Sequence, residues 1–230
     1  MVQLKLSNNN IALADSESIM STIIKLKNAI QISEKPDLFL FDGEYILGIE
    51  HMRFSSHEHN SRGDKIMAEL NTEFKRAIFN KNCDKPGISY IKNQKNIKCS
   101  LEAYEKSFID TFNKHYTKIA EYKSNLKEKF HEQYEVKIYF WMQDCTTEST
   151  SVEYNSKYIL YNPTMNRNIL EFLRGKIYVD AFIFQVNNYE KADFYYLKNS
   201  SNNIEKMLKE NKEYFDCQIN NKIINNIIIT

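Results

Sequence analysis

An α/β fold, with a mixed central sheet flanked by helices, is the architecture this 230-residue sequence predicts, and three observations point to it. "VKIYFWM" and "IYVDAFIFQV" are almost continuously apolar and aromatic, as strands covered on both faces are. Before them lie stretches in which apolar residues recur at spacings of three and four, the period of an amphipathic helix. "DLFLF" and "YILGIEHMRF" flank Asp42-Gly43, a strong short-range hairpin signal.

The elements follow in order. Asp15 and Ser16 are candidate N-caps of a first helix, along which Ile19, Ile23, Leu26 and Ile30 form one stripe. Pro36 closes the linker into the hairpin. "SSHEHNSRGDK" reads as a polar loop and "KIMAELNTEFKRAIF" as a helix with Ile66, Leu70, Phe74 and Ile78 on one face. "NKNCDKPGISYIKNQKNIKCS" is loop-like, and residues 82–100 read as an insertion carrying Lys85, Lys92, Lys95 and Lys98. One long helix is expected from Leu101 to near Gln133, because Tyr104, Phe108, Phe112, Tyr116, Ile119, Leu126 and Phe130 mostly keep the helical period.

After the strand "VKIYFWM", "TTESTSVEYNSKYILYNP" holds a short strand or a loop, and "TMNRNILEFLRG" a short helix closed by Gly175. "IYVDAFIFQV" and "ADFYYL" are strands, "NNIEKMLKENKEYF" is a helix and "KIINNIIIT" an edge strand. Neither an internal repeat nor an inter-domain linker interrupts the chain. A single domain over 1–230 is therefore expected, with its core over 15–145 and a C-terminal elaboration over 146–230.

Lys and Arg total 31 against 30 Asp and Glu, a net charge of +1, so a nucleic-acid contact requires a local patch. Cys83, Cys99, Cys145 and Cys217 form no CxxC pair, which excludes a zinc knuckle of the usual spacing and suggests reduced thiols. The N-terminus has no basic segment leading into an apolar one, and no apolar run approaches the roughly 20 residues that span a bilayer. A cytoplasmic chain with no membrane partner is expected. The phosphate loop G-x-x-x-x-G-K-[ST], the dinucleotide fingerprint G-x-G-x-x-G and the G-x-S-x-G elbow are all missing from the sequence.

The chemistry concentrates in "PDLFLFDGEYILGIEHMRF". Side chains alternate along a strand, so Glu50, Met52 and Phe54 share one face, while Ile49, His51 and Arg53 share the other. The hairpin brings Asp37 across from the later part of the second strand, near Glu50 or a few residues beyond it, and Gly48 allows close approach beside the glutamate. Two carboxylates converging in this way suit a hard divalent cation.

These residues resemble the PD-(D/E)xK phosphodiesterases, the restriction-endonuclease-like nucleases. "PD" at Pro36-Asp37 matches the first part of the family motif and "GIEHM" around Glu50 the second. The resemblance covers Asp15 to Met142, and it implies a core of helix, three-stranded meander, helix and strand. It further implies a nuclease that hydrolyses DNA or RNA phosphodiester bonds, in a prokaryotic defence or mobile-element setting. Asp37 and Glu50 would hold Mg²⁺ or Mn²⁺, with Glu17 as a further acidic ligand from the first helix. The family's lysine belongs two residues after the glutamate, where this chain has Met52, and a thioether can neither activate water nor offset charge on phosphate. Lys65 and His51 are the candidate replacements. The alternative is a nuclease fold without catalysis, serving as an accessory or immunity-type protein that binds a protein or nucleic-acid partner.

A second cluster is histidine. His57-x-His59 has metal-ligand spacing if extended, although a polar loop ordinarily leaves such pairs in solvent. Were the loop to fold over the hairpin, His57 and His59 would contact substrate phosphate or act as a general acid, and Arg53 and Arg62 are further candidate substrate-binding residues. Lysines from Lys85 to Lys129, flanked by Arg62 and Lys65, would make a phosphate-tracking surface, but they alternate with Glu102, Glu105, Asp110, Glu121 and Glu128, as on an ordinary solvated helix face.

Overall fold

The computed structural model describes residues 30–41, 44–55, 72, 89–92, 100–130, 134–145, 151–155, 157–187, 192–215 and 226–229. All of the expected first helix before Ile30, the Asp42-Gly43 turn, the loop carrying His57 and His59, almost all of the helix beginning at Lys65, and most of the 82–100 segment lie outside these residues, whereas the end of that first helix is corrected, since Ile30 is not helical and Gln31–Ile32 are a strand.

Six strands form the main sheet: β1 (Gln31–Ile32), β2 (Leu38–Phe41), β3 (Tyr45–Phe54), β5 (Glu135–Asp144), β8 (Ala181–Asn187) and β9 (Ala192–Lys198). They stand side by side in that order. β1, β2 and β3 form an antiparallel meander. β3, β5 and β8 run parallel, and β9 closes the far edge antiparallel to β8. The sheet is therefore mixed, as the sequence predicts. Parallel neighbours need a crossover, and helices supply it here: α1 (Leu101–Tyr116) and α2 (Ile119–Lys129) lie between β3 and β5, and α3 (Arg167–Arg174) lies between β5 and β8. Two smaller antiparallel pairs join β4 (Ser89–Lys92) to β10 (Asn226–Ile229) and β6 (Ser151–Tyr154) to β7 (Lys157–Leu160). The tail strand therefore pairs with the segment read as an insertion, and the ambiguous stretch after β5 is a hairpin.

Alternation along the strands sorts the core into two. Phe39, Ile46, Met52, Phe54, Ile138, Phe140, Met142, Phe182 and Phe184 share one cluster with buried residues of α1, α2, α3 and α4 (Ser201–Glu210). Leu40, Leu47, Ile49, Tyr139, Ala181, Ile183 and Tyr196 form the other. All four described helices thus contribute to the face that carries Glu50.

The single long helix expected over 101–133 is instead two. Ser100 Oγ caps α1 by accepting from Ala103 N at 3.1 Å. At the other end Thr117 Oγ1 donates to the Lys114 carbonyl at 3.1 Å, and Lys118 N donates to His115 O at 3.0 Å. A hydroxyl competing for a helical carbonyl, combined with a tightened last turn, ends the helix where apolar periodicity alone would continue it. Gly175 caps α3 with φ −85°, so it ends that helix without entering the left-handed region.

Candidate functional site

Leu38 pairs with Ile49 across β2 and β3, which makes Asp37 and Glu50 the next positions in register. There side chains replace the backbone ladder. Asp37 N donates to Glu50 Oε2 at 3.3 Å, and His51 N donates to Asp37 Oδ2 at 2.8 Å. Each carboxylate thus engages the backbone of the opposite strand, at the point where β2 begins.

The Asp37 segment is anchored from both sides. Ser33 N donates to Asp37 O at 2.8 Å, closing the turn through the cis Lys35-Pro36 bond. From α2, Asn125 donates to the Lys35 carbonyl at 3.3 Å, and Glu121 pairs with the Lys35 ammonium at 2.8 Å. Gly48 makes this approach feasible. A Cβ there would lie 2.7 Å from Leu126 Cδ1, 2.8 Å from Pro36 Cγ and 3.0 Å from Ile138 Cδ1.

Glu50 is 6% exposed, yet it is well provided with donors. His115 Nδ1, at the end of α1, lies 2.6 Å from Oε1, and Tyr122 Oη in α2 donates to the same oxygen at 2.7 Å. Burial pushes the carboxyl up, but the hydrogen bonds from His115 and Tyr122, the nearby His115 ring and the Asp37 backbone N–H outweigh it, so the net shift is downward. Burial, together with the bond to Glu50 and its charge, pushes the Tyr122 phenol far up, so it stays protonated and donates. Sequence reasoning missed both partners. A signal existed for His115, which falls three residues after Phe112 on the buried stripe of Tyr104, Phe108 and Phe112.

The other expected residues separate. His51 presents its ring to the opposite face, where Nε2 lies 3.0 Å from Gln143 Oε1 and the ring packs 4.6 Å from Trp141. Burial pulls its pKa down, and its backbone N–H, rather than its ring, meets Asp37. Arg53 is exposed on that same face, and its carbonyl accepts from Thr111 Oγ1 at 3.4 Å. Met52, in the lysine position, is 3% exposed within the aromatic core. A lysine there would bury its ammonium. Glu17, Lys65, His57, His59 and Arg62 lie outside the described residues. Burial pushes the Cys145 thiol up to about 11, so it is not a ready thiolate nucleophile.

The donor chemistry bears on a metal. Among the described residues no group of three His, Cys, Asp or Glu side chains could hold an ion. Two carboxylates fit Mg²⁺, which is typically held by one or two acids and completes its shell from water and phosphate oxygens. Glu50 divides suitably for this: Oε1 takes the His115 and Tyr122 donors, while Oε2 faces the Asp37 strand. Among the described residues no helix is long and apolar enough to cross a membrane. No family model, curated protein or solved structure matches this chain.

Proposed function

We propose that this protein is a divalent-metal-dependent nuclease that hydrolyses DNA or RNA phosphodiester bonds at the Asp37–Glu50 centre. The observation that carries the reading is the convergence of two carboxylates from adjacent strands, each bonded to the backbone of the other's strand, at 2.8 and 3.3 Å. The likeness to PD-(D/E)xK nucleases gains support from the order of elements, in which an antiparallel meander leads through helices into a strand parallel to the one bearing Glu50.

Asp37 and Glu50 Oε2 would hold Mg²⁺ or Mn²⁺. When bound, the cation offsets phosphate charge and lowers the pKa of a coordinated water. The chain's own residues hold this arrangement ready. Tyr122 and His115 fix the Glu50 carboxylate in its ionised form, and the Lys35 to Asp37 turn, anchored to α2, fixes the second acid.

A second reading has its own observation. Met52 is sealed in the core at the position where the family carries lysine, which favours a protein that keeps the nuclease fold without hydrolysis and binds a nucleic-acid or protein partner. Incubating the protein with plasmid, single-stranded DNA and RNA in Mg²⁺ or Mn²⁺ separates the two. Cleavage that disappears in both Asp37→Ala and Glu50→Ala is expected. Cleavage indifferent to either substitution would remove the proposed centre, and no cleavage of any substrate would favour the binding protein.

A further inference from the structure

We propose that Ile177 and Tyr178, with Lys176 beside them, form a subsite that binds a single-stranded stretch of nucleic acid next to the Asp37–Glu50 centre. The proposal deepens the nuclease reading and rests on it, since that reading makes nucleic acid the partner. Ile177 is 74% exposed and Tyr178 59%, consecutive residues in the turn between α3 and β8. Two large apolar side chains left adjoining in water mark a contact surface, and a tyrosine ring offers it a flat face with a polar tip.

The turn is joined to α1 by aromatic and cationic contacts. The half-buried Tyr116 ring, at the end of α1, lies 6.2 Å from that of Tyr178. Lys176 Nζ stands 4.9 Å from the Tyr116 ring centre and 4.1 Å from that of Phe172, and it donates to Asn113 Oδ1 at 3.4 Å. Among the described residues neither Lys176 nor Lys123, whose charge reaches Asp180 at the end of the same turn, forms a salt bridge. The acids closest along the chain are occupied: Asp180 Oδ2 accepts from Ile138 N at 2.7 Å, and Glu171 pairs with Arg174 at 3.3 Å. Burial pulls the Lys176 pKa down with no carboxylate to offset it, an environment that an anion would relieve.

Exposed stacking faces beside uncompensated positive charge are the means by which proteins hold single strands, with bases laid on the rings and phosphates on the cations. A duplex keeps its base faces covered by one another, so only an unpaired strand can use the Tyr178 ring. Position ties the patch to the centre. Glu50, Phe140 and Phe182 stand in one row across β3, β5 and β8, a span of about 10 Å at the usual strand spacing, and the turn carrying Tyr178 leads into β8. In α1, His115 reaches Glu50 while the next residue, Tyr116, meets Tyr178. A strand with one phosphate at the two acids would therefore lay a nearby base on Tyr178.

The test measures the anisotropy of fluorescein-labelled DNA and RNA oligonucleotides, single-stranded and as duplexes, with the full chain in EDTA, where metal-dependent cleavage is off. Wild type should bind a single strand about 10-fold or more tightly than the duplex, and Tyr178→Ala should raise the single-strand Kd about 5-fold or more. Tyr178→Phe keeps the ring and should bind as wild type does. Lys176→Gln should weaken binding and reduce the slope of log Kd against log salt by roughly 0.7, the share of one phosphate contact. Equal affinity for single strand and duplex, or Tyr178→Ala binding as wild type does, would overturn the proposal, and the second result would assign the exposed pair to a protein partner. Cleavage abolished by Asp37→Ala, with Tyr178→Ala matching wild type in both Kd and KM, overturns this inference alone. Single-strand binding that depends on Tyr178, with no cleavage of any substrate in Mg²⁺ or Mn²⁺, overturns the nuclease reading and leaves the subsite standing on a nucleic-acid-binding protein.

Discussion

Glu50 shows how a costly residue becomes a stable one. An ionised carboxylate in an apolar strand loses its hydration, and here an imidazole, a phenol and a backbone N–H replace it. Because the folded-state pKa lies below the ordinary 4.5, this contribution to stability is fully present above that value and is lost as pH falls through the lowered one. Glu50→Gln should therefore be less stable than wild type at pH 7 by about 1–3 kcal/mol, and the difference should shrink steadily in acid. Denaturant unfolding of both proteins across that range measures it, and a gap independent of pH would contradict the assignment. That Asp37 comes near Glu50 was legible in the sequence from the hairpin signal, while the register that sets them directly opposite was not, since the sequence left it open by a few residues. The partners His115 and Tyr122 were not, because they lie 65 and 72 residues away and only the tertiary fold brings them near.

At the scale of elements, the site depends on how closely α2 and the Pro36 turn approach β3. His115, near the end of α1, and Tyr122, near the start of α2, reach one oxygen of Glu50 from either side of the turn at residues 117–118. Periodicity could not reveal that turn. Ile119, Leu126 and Phe130 continue the apolar stripe past it, and the Thr117 hydroxyl that competes for the Lys114 carbonyl leaves no mark on hydrophobic spacing. Gly48 is the other requirement. The Leu126 methyl can rotate away from an added Cβ, but the Pro36 ring has little freedom to do so. Gly48→Ala should cost about 1–3 kcal/mol and lower Tm, by pushing the Pro36 turn away from β3. A variant with an unchanged or higher Tm would show that the approach is looser than these distances imply.

For the whole molecule, the strong apolar runs announced the α/β class and the strands β3, β5 and β8, because strands covered on both sides need nearly continuous hydrophobicity. Strand neighbours were harder to read. Nothing in the composition of "KIINNIIIT" selects β4 as its partner, since such pairing depends on distant register. The sheet that results places the Asp37–Glu50 pair where the meander gives way to the parallel strands, with α1 and α2 over the same face. The central claim is that this pair is built to hold a divalent cation. Titrating Mn²⁺ into the wild type, Asp37→Ala and Glu50→Ala proteins, with free ion followed by electron paramagnetic resonance, tests it most directly. Binding of one ion by the wild type that is lost or greatly weakened in both variants is the predicted result. Equal binding by all three, or none by the wild type, would contradict it.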